Sequence, residues 1–172
     1  MKRLAQTKAL ERLQTIREEF RNRIRSGFEH RAKDCETCET KGICCTDAHF
    51  VNVRITRLEA TIIIDEVSQL PEKLQRRVRD RISKLTLDKI LQNPESTWAC
   101  PLFEPEIGCL VHSTAKPLPC INHACYENLE DVPGEELLDE AEKAISAMNT
   151  RVYGNHWTIE AIPIWLDKHE KR

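Results

Sequence analysis

A mostly α fold is what this sequence predicts: one small helical domain with two irregular loops, roomy enough for a short β-hairpin. Three observations predict it. Apolar residues recur every three or four positions over most of the chain, the period of a helix with one buried face. That period vanishes between Trp98 and Tyr126, where Pro101, Pro105, Gly108, Pro117 and Pro119 mark turns. The eight cysteines fall in two segments only, Cys35, Cys38, Cys44 and Cys45 in the first and Cys100, Cys109, Cys120 and Cys125 in the second. Thiols grouped in this way predict that the two loops are joined at a metal centre.

The elements follow in order. Leu10, Leu13, Ile16, Phe20, Ile24 and Phe28 draw an apolar stripe along residues 1–33. Ten Lys or Arg and four Glu give this segment a charge of +6, so the rest of the chain carries −8 of the total −2. Such a basic amphipathic helix could meet an anionic partner. Glu11, Glu18, Glu19 and Glu29 interrupt its positive face, which argues against nucleic acid and for a solvated helix docked by its stripe. Residues 34–172 then form the cysteine-bearing domain. Phe50 to Ile55 alternates like a short strand. Thr56 and Glu59 spell a capping box, which starts a helix running to about Leu70. Pro71 suits the opening turn of the next helix, whose buried face is Leu74, Val78, Ile82, Leu85 and Ile90 and which Asn93-Pro94 ends. A further helix spans about Glu135 to Tyr153, with Leu138, Ala141, Ile145, Met148 and Val152 on one face and Gly154 closing it. The tail reads as a last short helix, with Trp157 and Trp165 as core anchors.

The two central helices, of about 14 and 21 residues, would extend roughly 21 and 31 Å. As an antiparallel hairpin they would carry the chain out and back, which returns the second cysteine loop to the first.

Composition narrows the class. At 172 residues, 40% apolar and 31% charged, the chain suits one soluble domain. Its longest apolar runs, such as Ile62 to Ile64, are far short of the roughly 20 residues that span a bilayer. The basic start lacks the apolar core of a signal peptide, so a cytoplasmic protein with reduced thiols is expected. A secreted disulfide scaffold fits neither that reading nor the helical patterning.

Thiolate ligation is then the better reason for eight cysteines. Cys35-x2-Cys38 is a metal-ligand spacing. A thioredoxin-type pair shares it, but here the neighbours are Glu36 and Glu39, which would raise a thiol pKa rather than lower it. In the adjacent pair Cys44-Cys45 the side chains diverge by about 100° on a helix, so the doublet suits two sites or a multi-atom cluster better than one small ion. His112 and His123 sit beside the second group of thiols and could ligate, but eight cysteines make an outer role the better reading. His49 follows the doublet at a distance, and His30, His156 and His169 lie further off. The bacterial and plant ferredoxin spacings are absent, and so is a second CxxC for a zinc ribbon. The five glycines, at 27, 42, 108, 134 and 154, cannot build a dinucleotide or P-loop cradle. No catalytic residue can be assigned.

Cys35-x2-Cys38, the ending Gly42-Ile43-Cys44-Cys45 and the following Thr56 and Glu59 resemble the CxxCxxCC, or YkgJ-type, cysteine-cluster proteins. The second block agrees with that family's arrangement: Cys100-Pro-Leu-Phe103, Gly108-Cys109, His112 and Lys116-Pro117-Leu-Pro-Cys120. Five residues separate Cys38 from Cys44 where the family usually has two, and Lys116 stands where Arg is usual. The resemblance implies a zinc- or iron-chelating domain over residues 35–125, and it is also similar to the cysteine-rich part of flagellin lysine N-methylases. All eight cysteines are candidate ligands, to an iron–sulfur cluster by preference or to Zn2+. The expected role is a redox, metal-handling or accessory module with a protein partner. The alternatives are a protein-modifying enzyme related to that methylase, or a zinc-stabilised interaction domain.

Overall fold

The computed structural model describes residues 3–33, 39–40, 42–46, 51–154 and 159–171. The chain is mostly helical, with eight α-helices and two small two-stranded sheets among the described residues. Its contacts gather into two compact units, one from residues 1–41 and 117–157, the other from 42–116 and 158–172. This partition crosses the division at residue 33 read from the sequence.

The first unit is built on α1 (Gln6–Gly27), α6 (Leu118–Asn122) and α7 (Glu135–Tyr153). The stripe on α1 is its packing face: Ala9, Leu13, Phe20 and Ile24 are buried, and α1 rests on α6 and α7. The amide of Leu4 donates to the carbonyl of Arg151 at 3.1 Å, which ties the chain just before α1 to the end of α7. Glu135 and Glu136 in the first turn of α7 and Arg151 in the last complement its dipole. Gly154 ends α7 at a φ of +88°, a conformation open to glycine, and its amide donates to Thr150 at 2.8 Å.

The second unit centres on α8 (Ile162–Glu170), whose residues Ile162 to Leu166 are all buried. Against it pack α3 (Arg57–Gln69), α4 (Glu72–Ser83) and α5 (Leu87–Gln92). Strand β1 (Arg54–Ile55) pairs antiparallel with β4 (Glu160–Ala161) beside the start of α8, and the buried Trp165 indole donates to the Ile55 carbonyl at 3.1 Å. The capping box of α3 is formed: the Glu59 amide donates to the Thr56 hydroxyl oxygen at 3.3 Å, and the Thr56 amide donates to the Glu59 carboxylate at 2.9 Å. The hairpin of α3 with one long helix needs two corrections. The helices rest chiefly on α8 rather than on each other. The second is also broken, between Ser83 and Leu87. Leu85 and Ile90 are five positions apart, so an unbroken helix would rotate Ile90 off the face of Val78 and Ile82. The break turns Ile90 into a cluster with Val51, Trp98, Ala161 and Ile164. Arg54 secures the end of α5: its guanidinium donates to the carbonyls of Ile90, Asn93 and Pro94 at 3.2 Å each and lies 5.9 Å over the Trp98 ring.

Candidate metal centre

Two short elements carry the thiols of the second unit. Cys44 and Cys45 lie on α2 (Ile43–Thr46), a single turn opened by Gly42. Cys109 lies on β3 (Gly108–Cys109), paired antiparallel with β2 (Phe103–Glu104) so that Phe103 faces Cys109 in the register. Cys100 precedes this hairpin, and its amide donates to the carbonyl of Cys45 at 2.7 Å. This backbone bond sets the segment of Cys44 and Cys45 beside the segment of Cys100 and Cys109.

Gly42 locks the arrangement. Its φ is +79°, and a Cβ at that position would overlap the ring of Phe103. Its carbonyl accepts from the amides of Cys45 and Thr46, at 2.8 and 3.0 Å. The same glycine therefore shapes the turn under the doublet and seats it on the hairpin.

A polar clamp holds the hairpin to α4. Glu104 on β2 is buried at 3% exposure, and its carboxylate accepts from both Arg77 and Arg81, the latter at 2.6 Å. Arg81 donates as well to the carbonyl of Pro101, at 3.2 Å. The Arg81 hydrogen bond first, and then the two guanidinium charges, hold the Glu104 carboxyl below its usual range. Sequence reasoning missed all three residues. The signal that existed was the spacing of Arg77 and Arg81, four apart and on one helical face.

Burial and, at Cys45 and Cys100, neighbouring thiols raise the thiol pKa values. Cys45 is pushed up by its hydrogen bond with Cys44, then by burial, then by the neighbouring Cys100, Cys44 and Cys109. The sequence reading had the doublet's side chains diverging; on this one-turn helix the two thiols are in hydrogen-bonding range. Burial pushes Cys100 up to about 12, against the amides of Leu102 and Phe103, with Cys109 adding to the rise. Burial also raises Cys109, opposed by the Val111 amide and the Lys116 ammonium. These groups are therefore protonated thiols near neutral pH, and a metal would bind them by displacing protons.

Cys120 on α6 and Cys125 just beyond it belong to the first unit. The Lys33 amide donates to the Cys125 carbonyl at 2.9 Å, and Ala32 bridges to Tyr126. Cys35, Cys38, His49, His156 and Trp157 lie outside the described residues. His30, His112, His123 and His169 are exposed. The six described cysteines are half-buried and form no disulfide among the described residues. Among the described residues no three His, Cys, Asp or Glu converge closely enough to hold one ion. Among the described residues, Trp98 Nε1, Asn122 Oδ1 and Tyr126 Oη are buried with no hydrogen-bond partner. Trp98 is two residues from Cys100, Asn122 lies between Cys120 and Cys125, and Tyr126 follows Cys125.

Comparison with protein-family models, curated proteins and solved structures gave no match. No described helix is long and apolar enough to cross a membrane.

Proposed function

We propose that this chain is a metal-binding cysteine-cluster protein of the YkgJ type, a redox, metal-handling or accessory module that acts with a protein partner in the cytoplasm. The observation that supports the reading is the 2.7 Å bond from the Cys100 amide to the Cys45 carbonyl, which sets the segment of Cys44 and Cys45 beside that of Cys100 and Cys109. Ionised together without a cation, these four thiols would repel one another. A bound cation removes that repulsion and knits the loops together, so binding would also be folding free energy.

Eight thiols exceed the four that one tetrahedral zinc takes, and the adjacent Cys44 and Cys45 suit a multi-atom cluster, which favours an iron–sulfur cluster over one zinc. By chain position the eight cysteines divide four and four, with Cys35, Cys38, Cys120 and Cys125 in the segments of the first unit. Two centres, one to each set, account for that division.

Anaerobic purification followed by absorption spectroscopy and elemental analysis tests the proposal. Iron with acid-labile sulfide, and broad visible absorption that bleaches on reduction, is the expected result. A colourless protein with stoichiometric zinc would replace the cluster by zinc sites. A folded, metal-free protein whose thiols all react freely would overturn the proposal.

A further inference from the structure

Away from the cysteines, the second unit contains a cleft of about 540 Å³ between α3, α4 and α8. Its floor is apolar: Ile64 and Val67 from α3, Val78 and Ile82 from α4, and Leu166 from α8. Its polar lining is Ser68, Gln75, Arg79, His169 and Glu170, about as extensive as the apolar floor. The volume lies in the range of small-molecule sites.

The rim chemistry selects a head group. Arg79 meets Glu170 at 3.9 Å, too far for a direct hydrogen bond, and its side chain is 42% exposed. The guanidinium therefore keeps its forked donors available beside the cleft, where a carboxylate can take two of them at once. His169 adds a nitrogen donor on the same rim. Glu170 is the counter-ion that an incoming carboxylate would displace. We propose that this cleft binds a small aliphatic carboxylate, with its tail on the floor of Ile64, Val67, Val78, Ile82 and Leu166 and its head on Arg79. The site is independent of the metal proposal and shares no residue with it.

The test is titration of octanoate into the full chain, followed by calorimetry and by amide chemical shifts. Octanol and octylamine have the same tail with a different head. Octanoate is expected to bind at least about tenfold more tightly than either. Arg79→Gln should erase that preference. Glu170→Gln should tighten octanoate several-fold, since it removes the competing carboxylate. Both side chains are partly exposed, and an unchanged Tm confirms that the variants fold. Equal affinity for the three heads, a preference that survives Arg79→Gln, or no saturable octanoate binding at millimolar concentration would each overturn the proposal.

Discussion

The two units hold their cysteine-bearing chain by different means. In the first, Leu13 is fully buried on α1, and the segment with Cys120 and Cys125 is attached through α6, the bridge from Ala32 to Tyr126 and the Lys33 amide on the Cys125 carbonyl. In the second, the hairpin with Cys109 is fixed by a buried carboxylate between two arginines and by a ring laid over a glycine. Apolar packing is non-directional and tolerates small adjustments, whereas a charge clamp and a steric lock specify one register. The difference teaches that directional contacts fix the segments of Cys100 and Cys109 in the second unit, where the first relies more on burial.

Several substitutions would break or sharpen that contrast. The largest effect concerns loading. Cys100→Ser should remove the metal held by the second unit's quartet and leave about half of the total, read by elemental analysis. Complete loss would mean one shared centre. For stability, Leu13→Ala should cost about 2–5 kcal/mol by denaturant unfolding, because it empties fully buried volume in the first unit. Gly42→Ala should cost roughly 2–4 kcal/mol, from the left-handed backbone together with the displaced Phe103 ring. Adding Phe103→Leu should recover the steric part and leave the backbone part.

Glu104→Gln probes the clamp through pH. The folded carboxyl titrates below its ordinary value of 4.5, so its contribution is present above that value and fades as pH falls through the lower folded one. The variant should therefore melt several degrees below wild type at pH 7, and the gap should close in acid. A constant gap would mean that shape rather than charge holds the hairpin. The smallest change is Thr56→Ala, which should cost about 1 kcal/mol by removing the cap of α3.

Much of the helical framework was legible. The box at Thr56 and Glu59 is a local device, complete within four residues, and so it can be read without knowing the fold. The stripe on α1 and the face of Ile145 and Met148 on α7 were readable for the same reason. The break between α4 and α5 was not, because it depends on where Trp98 and Ile164 sit. The candidate site was legible as residue types but not as a grouping. Nothing near residues 41 or 116 marks the points where the chain passes from one unit to the other. Arg77, Arg81 and Glu104 each look like ordinary surface charges until the hairpin's register brings them together.

That interleaving has a consequence for synthesis. Helix α1 is translated about a hundred residues ahead of its cover, α6 and α7. At about 5–20 residues per second, the apolar stripe waits on the order of ten seconds for a partner. During that interval the nascent chain exposes Leu13 and Phe20 to whatever chaperone is at hand, and neither unit can be obtained by simple truncation of the gene.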